Sequence, residues 1–317
     1  MMISVIICTY NRAQYITNCL WSVVHSEAPD CDYEIIVVDN NSTDETWDTV
    51  SEFAVANSHH NIRLCNEKNQ GLVHARNLGI KKAKGDLLFF LDDDAIVETR
   101  CLKKLCIYYE QLGFTCMGGK ILPWYGTANN AKTPAWFNKS CWGALSFLDR
   151  GEKVKRVYHP QFPYGANWAV EKKLFDRYGM LNERMGRCGK SLISNEEHEF
   201  MLRLERGGEP IYYVPDAVVF HMLHLDRLKV SYLIRRHFAQ GISDQIMFSL
   251  IKNYPECRIQ IMKRILETGT APSRCFARML AQRLDWAIPL LRIAYNIGFF
   301  WSILGQRSKS KRVKNGN

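Results

Sequence analysis

The chain has 317 residues, 47% of them hydrophobic, so it can bury a large core and is not a wholly disordered protein. Its 42 Lys and Arg residues outnumber 32 Asp and Glu residues, and this formal charge of +10 favours an anionic partner such as a nucleotide or a lipid surface. The eleven cysteines contain no CxxC pair and lie mostly beside apolar residues, which argues against a disulfide framework and for reduced thiols in the cytoplasm.

Strands and helices alternate in the first third of the chain. The opening residues, MMISVIICTYNR, lack the basic segment of a signal peptide and instead begin a β-branched run. Such apolar runs predict strands at 3–10, 33–40, 61–67 and 86–94, with helical patterns between them, the last at 71–85. Strand–helix units with continuously apolar strands are typical of a parallel sheet covered by helices on both faces. We therefore predict an α/β fold.

Three polar residues stand where predicted strands end. They are Thr9, Asp39 and Asp92. In open α/β sheets, ligands bind beyond the carboxyl ends of the strands, so these residues are candidates for one binding site.

The order of elements changes from about residue 99. A helix is predicted at 99–112, followed by a long irregular stretch at 123–167 that is rich in Trp, Pro and Gly. A strand then enters a helix from 167 onward, and an acidic-headed helix at 195–208 ends at two glycines. The segment 210–222 has the β-branched and aromatic composition of strands.

The C-terminal third is helical and basic over 228–283 and then strongly apolar over 286–305. Pro289, Arg292 and Asn296 interrupt the apolar run, which is therefore marginal for a spanning helix of about 20 apolar residues. The basic tail QRSKSKRVKNGN follows it. This combination predicts interfacial attachment to an anionic membrane, while docking on the core or on a second subunit remains open.

The acid cluster Asp92–Asp94 follows the apolar run LLFFL. Alternate residues of an extended chain point the same way, so Asp92 and Asp94 share a side and Asp93 faces away. Two carboxylates in a polar setting suit Mg²⁺ or Mn²⁺, which take oxygen ligands together with water and substrate phosphates. A solvated acidic turn, or an N-cap for the helix near Thr99, is the alternative.

Four segments carry a resemblance to a known family: VIICTYNR, IIVVDNNSTDET, NQGLVHARNLGI and FFLDDDAIV, in that order. PYGANWAV and NEEHEF continue it. Together they resemble family 2 glycosyltransferases of the GT-A fold, over roughly residues 2–240. The resemblance implies a Rossmann-like, mostly parallel sheet flanked by helices, with a C-terminal helical extension. It also implies sugar transfer with inversion from a nucleotide-sugar whose diphosphate is bridged by a divalent metal at the DxD motif.

The resemblance assigns the donor site residue by residue. Thr9 and Arg12 would lie in the loop near the nucleoside, and Asp39 would accept a hydrogen bond from the ring N–H of the base, commonly uracil. Arg76, in HARN, would lie near the nucleotide. The implied donor-binding set is Thr9, Arg12, Asp39, Arg76, Asp92 and Asp93, with UDP favoured over GDP or dTDP through Asp39.

An acid pair at a helix start supplies the general base in the family, usually as Glu-Asp. Here Glu196 and Glu197 stand in that position, so Glu197 is the predicted base and Glu196 the residue that orients the acceptor. The extra methylene of Glu departs from the family pattern. Both acids could instead complement the helix dipole, with Glu199 and Arg203 forming an i,i+4 pair.

The resemblance also supplies a metal-binding histidine after the last strand. His221 fits this position better than His224, and the implied ligand set is Asp92, Asp94 and His221, holding Mn²⁺ or Mg²⁺. A core histidine is the alternative, and a zinc site lacks a third nitrogen or sulfur ligand at a recognisable spacing. Trp124 and Asn167 are the candidates for acceptor contacts, although aromatic residues are equally common in a core.

The sequence therefore predicts a GT-A domain at 1–225, with a nucleotide-binding half at 1–98 and an acceptor-binding half at 99–225. A helical, basic extension follows at 226–317. The expected activity is transfer from a UDP-sugar to a saccharide or lipid-linked acceptor in polysaccharide or glycolipid synthesis. We expect it at the cytoplasmic face of the membrane, with the C-terminal helices as a candidate homo-oligomer interface.

Other classes fit less well. The first strand is followed by neither GxGxxG nor GxxxxGK[ST], which argues against a dinucleotide-binding dehydrogenase and a P-loop enzyme. The glycine-rich basic loop of a sugar nucleotidyltransferase is also missing there. No nucleic-acid partner is expected, since the positive charge collects in the C-terminal third. A catalytically silent, membrane-bound scaffold that binds nucleotide-sugar is the remaining alternative.

Overall fold

Eight of the eleven strands form one large sheet in the computed structural model, which describes residues 1–27, 31–125, 134, 139–250 and 288–314. The strands are β1 (Met2–Thr9), β2 (Asp32–Asp39), β3 (Ile62–Asn66), β4 (Leu87–Asp92), β5 (Ala95–Val97), β6 (Cys116–Gly118), β7 (Ile121–Trp124), β8 (Lys155–Val157), β9 (Asn167–Glu171), β10 (Ile211–Tyr213) and β11 (Val219–Met222). The large sheet has the order β3-β2-β1-β4-β9-β6-β10-β8. Its first four strands are parallel, whereas β9 is antiparallel to β4 and β6.

Helices cover both faces of the large sheet, which confirms the predicted α/β class. They are α1 (Ala13–Val24), α2 (Thr46–Ala56), α3 (Leu72–Lys82), α4 (Cys101–Leu112), α5 (Lys173–Tyr178) and α6 (Glu196–Arg206). Ile3, Val5 and Ile7 of β1 belong to the core that contains the buried residues of α1, α2 and α4. Ile6 points to the opposite face, where a Cβ on Gly79 of α3 would lie 2.6 Å from its side chain. The alternation of β1 therefore fixes which helix packs on which face.

The strand register brings the predicted polar residues to one edge. Thr9 pairs with Asp39 across β1 and β2, and Cys8 pairs with Asp92 across β1 and β4. Thr9, Asp39 and Asp92 are each the last residue of their strand. The sequence-based placement of these three residues at carboxyl ends is thus confirmed.

A second, three-stranded sheet has the order β5-β11-β7 and was not predicted. The expectation of one strand through residue 94 is wrong, because the chain turns at Asp93 and Asp94 before β5 begins. β11 is antiparallel to β5, with His221 opposite Ala95, and Met222 N–H donates to the Asp94 carbonyl at 2.9 Å. This pairing carries His221 to the acidic turn.

The chain separates into two compact units. The first comprises Met1–Gly126, Ser146–Arg184 and Glu196–Leu223, and the second contains the described residues within 127–145, 185–195 and 224–317. The second unit includes α7 (Val230–Leu250) and α8 (Ile288–Lys314), which pack against each other. The predicted single boundary near 225 stays a prediction, and the remainder of the predicted helical stretch, 251–283, lies outside the described residues.

The α7–α8 pair combines apolar and polar contacts. Met247 and Phe299 are buried, Ser302 donates to Oε1 of Gln245 at 2.6 Å, and the Tyr295 hydroxyl donates to Asp244. None of the helices in the described part of the chain combines the length and apolar character needed to cross a bilayer.

Candidate active site

The acidic turn and the β11 histidine form a compact cluster. Nε2 of His221 lies 3.1 Å from Oδ1 of Asp94 and 3.5 Å from Oδ2 of Asp92. One ligand atom from each residue lies within 4.8 Å of the other two. His221 and Asp94 are buried and Asp92 is half-buried. Two carboxylate oxygens and one imidazole nitrogen at this spacing fit a divalent ion such as Mn²⁺ or Mg²⁺, with the half-buried Asp92 on its open side.

The electrostatics of the cluster favour positive charge between the acids. Burial would lower the pKa of His221, but the charges and hydrogen bonds of Asp94 and Asp92 outweigh it and raise the pKa to about 9. Burial would likewise raise the pKa of Asp92, yet its contact with His221 and the charge of Arg76 hold that pKa below its usual value. The protein therefore holds the Asp92 carboxylate ionised where a cation can bind.

Asp93 is not one of the three clustered residues and instead faces Arg12. Its Oδ1 lies 3.9 Å from Nε of Arg12, and the residue is only 8% exposed. Burial, and then the charge of Asp94, raise the pKa of Asp93 to about 7 against the opposing charge of Arg12. Asp93 therefore contacts the loop after β1, whereas Asp92 and Asp94 contact His221.

The carboxyl ends of β1 and β2 contain a buried carboxylate oxygen without a hydrogen-bond partner among the described residues. Thr9 and Asp39 are 2% and 1% exposed. Oδ2 of Asp39 accepts from Ser42 N–H at 3.1 Å and from the Asn66 amide at 3.4 Å. Oδ1 of Asp39 has no hydrogen-bond partner among the described residues. A buried carboxylate oxygen without a partner is costly, so a ligand N–H at this position would be strongly favoured.

The loops after β1 and β2 hold each other in place. Asn11 has a left-handed conformation (φ 54°), and its N–H donates to the Ser42 hydroxyl at 2.9 Å. The Arg12 N–H donates to Oγ1 of Thr46 at 2.8 Å. These contacts fix the backbone from which the Arg12 side chain extends toward Asp93.

The acid pair begins α6. Glu196 is 2% exposed, and its Oε1 accepts from Nη1 of Arg76 at 2.6 Å. Glu197 is half-buried, and its Oε1 accepts from the Gly165 N–H at 3.1 Å, while its Oε2 has no hydrogen-bond partner in the described part of the chain. Glu199 and Arg203 form the expected i,i+4 pair at 2.9 Å. The two first acids therefore make specific tertiary contacts beyond any effect of the helix dipole.

Arg76 joins the two groups of acids. It is 4% exposed, and its Nη2 lies 3.3 Å from Oδ1 of Asp92 and 3.1 Å from the Gly165 carbonyl, which accepts its hydrogen bond. Burial would lower the pKa of Arg76, but the charges of Glu196 and Asp92 raise it above the ordinary value. The predicted proximity of Arg76 to a nucleotide stays a prediction, because the structure defines its protein contacts only.

Two residues of the site were missed by sequence reasoning. Gly165 contacts both Arg76 and Glu197 through its backbone, and His198 Nε2 lies 3.1 Å from the Pro163 carbonyl. The His198 ring also stacks on Tyr164, with ring centroids 5.6 Å apart. The only signal in the sequence was the position of both residues inside the quoted segments PYGANWAV and NEEHEF.

The two acceptor candidates lie in different settings. Trp124 is half-buried at the end of β7, opposite Met222, and its carbonyl accepts from Leu223 N–H at 2.8 Å. Asn167 is fully buried, and its amide donates to the carbonyls of Lys120 and Ala217 at 2.9 and 2.8 Å. Asn167 thus holds neighbouring loops together. Of the two candidates, Trp124 is the one with a partly exposed side chain.

The first unit contains an α/β sheet with an Asp-Asp-His cluster at the carboxyl end of β4. Arg76 connects this cluster to the acid pair at the start of α6. The model of glycosyl transferase family 2 matches residues 4–179 of this chain. The chain belongs to that family. This confirms the resemblance inferred from its motifs.

Curated relatives and solved structures agree with this assignment. The chain is 28% identical over 263 residues to a glucosyl-dolichyl phosphate glucuronosyltransferase of Haloferax volcanii, covering 81% of this chain and 79% of the relative. It is 26% identical to a dolichyl N-acetyl-α-D-glucosaminyl phosphate diacetamido-dideoxy-glucuronosyltransferase of Methanococcus voltae, covering 84% and 82%.

The solved structures establish the GT-A fold. The mannosyltransferase PcManGT of Pyrobaculum calidifontis, in complex with GDP-Man and Mn²⁺, superposes with a TM-score of 0.65 at 18% identity, covering 95% of this chain and 86% of that one. S. aureus TarS with UDP superposes at 0.52 and 17% identity, covering 96% and 92%.

Proposed function

We propose that this protein is an inverting glycosyltransferase that moves a sugar from a UDP-sugar to a lipid-linked or saccharide acceptor. The observation that carries the proposal is the pairing of an Asp92–Asp94–His221 cluster with Glu197, whose Oε2 is buried and has no hydrogen-bond partner among the described residues. A scaffold that only binds nucleotide-sugar would need the cluster but not an oriented carboxylate with an unpartnered oxygen.

The donor end is argued from Asp39 and the acidic cluster. Oδ1 of Asp39 is buried without a hydrogen-bond partner among the described residues, so it suits the N3–H of uracil as a donor. Thr9 lies opposite Asp39 in the strand register. Asp92, Asp94 and His221 would hold a divalent ion, Mn²⁺ or Mg²⁺, and this ion supplies positive charge to the leaving diphosphate when bound. Arg12 adds a cation on the Asp93 side of the turn.

The chemical step is a single displacement. As the acceptor hydroxyl oxygen forms its bond to the anomeric carbon, its proton passes to Oε2 of Glu197, and the bond from that carbon to the nucleoside diphosphate breaks with its electron pair on the diphosphate. Attack opposite the leaving group inverts the anomeric centre. A positioned general base of this kind contributes roughly 10²–10⁴-fold in rate.

Two observations support a lipid-linked acceptor. The Haloferax volcanii and Methanococcus voltae relatives are both named for dolichyl phosphate-linked sugars, and each alignment covers more than three quarters of both chains. Trp124, half-buried next to the β11 strand that carries His221, offers an aromatic face for a sugar ring.

A lipid-linked acceptor also makes attachment to the membrane useful. Ile297, Trp301 and Leu304 are 49%, 66% and 63% exposed, and their i, i+4, i+7 spacing puts them on one side of α8. The sequence that follows, QRSKSKRVK, is basic. An exposed apolar stripe continued by basic residues suits peripheral binding to anionic lipid at the cytoplasmic face.

A transfer assay tests the proposal. The protein is incubated with Mn²⁺, a polyprenyl phosphate-linked monosaccharide and one of three donors: UDP-glucose, UDP-N-acetylglucosamine or UDP-glucuronic acid. The mass of the lipid product is then measured by mass spectrometry. A mass increase of one sugar, with inverted anomeric configuration, is expected. Nucleotide binding without transfer of any sugar to lipid-linked or free saccharide acceptors would support the silent scaffold instead.

A further inference from the structure

A buried arginine lies between the two acidic parts of the site. Nη1 of Arg76 contacts Glu196, at the start of α6, and Nη2 contacts Asp92, at the end of β4. The Glu196 contact is 2.6 Å long and the Asp92 contact is 3.3 Å. Because the Arg76 side chain is 5% exposed, both ion pairs are only weakly screened by solvent.

The third partner of Arg76 is the backbone of Gly165. A Cβ at this position would lie 2.7 Å from both terminal nitrogens of Arg76, so any larger residue would displace the guanidinium. The same glycine donates its N–H to Glu197. Gly165 thus contacts Arg76 with its carbonyl and the predicted base with its amide.

The loop that carries Gly165 is itself held from α6. Nε2 of His198 lies 3.1 Å from the carbonyl of Pro163, and the His198 ring stacks on Tyr164. The loop, the acid pair and Arg76 therefore form one connected set of contacts within the first unit.

This geometry suits arginine and no other side chain. A planar guanidinium can bond to two carboxylates and a carbonyl at once, whereas a lysine offers one small charge on a flexible stem. Removing the arginine would leave the buried Glu196 and the half-buried Asp92 without their shared cation, and a buried charge that loses its partner is strongly destabilising.

We propose that Arg76 is a positioning residue that fixes the acid pair of α6 relative to the Asp92 end of the metal-binding turn. The absence of a side chain at Gly165 leaves the space that the Arg76 guanidinium occupies. The role rests on the proposed function, because it concerns the alignment of base and donor. It differs from a direct nucleotide contact, since every contact that carries it is made within the protein.

Steady-state kinetics and donor binding of Arg76→Lys test the role. Arg76→Lys keeps the positive charge but cannot maintain all three contacts, so kcat should fall by about 100-fold, as for small misplacements of reacting groups. KM and calorimetric Kd for the donor should change by less than about threefold. Arg63→Lys is the matched control. Arg63 also makes a 2.6 Å ion pair, with Glu34, and donates a hydrogen bond to the main-chain carbonyl of Lys82, but it lies toward the opposite end of the strands from the site.

Gly165→Ala probes the same arrangement without touching a charge. Like Arg76→Lys, it should lower kcat while leaving donor Kd unchanged. A thermal melt shows whether the variant is folded. If donor Kd instead weakens more than tenfold in Arg76→Lys while kcat is retained, Arg76 is a nucleotide contact and the positioning role is overturned. Normal kcat in both variants would overturn it equally.

A stability measurement separates this inference from the proposed function. In a double-mutant cycle of Arg76→Met and Glu196→Gln, the loss in unfolding midpoint for the double variant should be smaller than the sum of the single losses. Additive losses would contradict the pairing even if the enzyme is active. Non-additive losses in a protein that transfers no sugar would leave the arrangement standing and reject the glycosyltransferase proposal alone.

Discussion

The main-chain N–H of Gly165 donates a hydrogen bond to Oε1 of Glu197 at 3.1 Å, and Oε2 of the same carboxylate has no partner among the described residues. One oxygen is therefore used to orient the group while the other stays able to take a proton. The carboxylate is thus held through one oxygen while the other is a buried acceptor without a partner, which suits a group that takes a proton from a substrate hydroxyl.

Glu197→Gln is expected to lower kcat by roughly 10²–10⁴-fold, because the amide is isosteric but cannot accept the acceptor's proton. Donor affinity, measured by calorimetry, should be unchanged. Glu205→Gln is the matched control, since Glu205 lies on the same helix and its Oε1 also accepts a backbone N–H, from His159 at 3.2 Å. Equal losses in the two variants, or full activity of Glu197→Gln, would remove Glu197 from the role of base.

Asp94→Asn and His221→Ala should each weaken Mn²⁺ binding by more than about tenfold, because each removes one of three clustered ligands. Calorimetry or spin-resonance titration with Mn²⁺ alone measures this without a donor. Asp86→Asn is the control: Asp86 immediately precedes β4, at the opposite end from Asp92, and bonds to the main-chain nitrogen of Met2. Unchanged Mn²⁺ affinity in both site variants would place the metal elsewhere.

Asp39→Asn should weaken UDP binding by about 10- to 100-fold, the usual range for losing a hydrogen bond to a charged acceptor. GDP binding should change much less, so the ratio of the two affinities reports base recognition. Asp32→Asn, at the exposed start of the same strand, should leave both affinities intact. A parallel loss of UDP and GDP affinity would mean that Asp39 supports the loops rather than the base.

Trp301→Ser combined with Leu304→Ser should reduce binding to vesicles of phosphatidylglycerol by at least about tenfold, from the lost burial of two large apolar side chains. Binding to neutral phosphatidylcholine vesicles should be weak for all variants, and salt should weaken binding to the anionic ones. Trp47→Ser, which alters an exposed Trp of the first unit, is the control. Wild-type protein that ignores anionic vesicles would refute the membrane proposal.

Much of the fold was predictable because it is encoded in local patterns. The apolar runs that form β1, β2 and β4 end at Thr9, Asp39 and Asp92. The parallel pairing of these strands is sufficient to bring their ends together. Asp93 is separated from Asp92 and Asp94 as expected, but the turn at Asp93 and Asp94 causes this rather than the two-residue period of an extended chain.

The contacts that depend on distant pairing were not predictable in the same way. The acidic turn ends β4 early, and only the short strands β5 and β11 show how His221 reaches Asp94. Gly165 has no side chain whose chemistry could mark it, although its backbone touches both Arg76 and Glu197. The sequence could not show that the amide nitrogen of Asn167 donates to two distant carbonyls, and its predicted contact with the acceptor stays a prediction.

Calorimetric titration with UDP, GDP and dTDP, each with and without Mn²⁺, tests the central claim most directly when wild type is compared with Asp94→Ala. The account predicts that UDP binds best, that binding depends on Mn²⁺, and that the Mn²⁺-dependent part is lost in the variant. Failure of wild type to bind any of the three nucleotides, with or without the metal, would contradict the assignment of this site to a nucleotide-sugar.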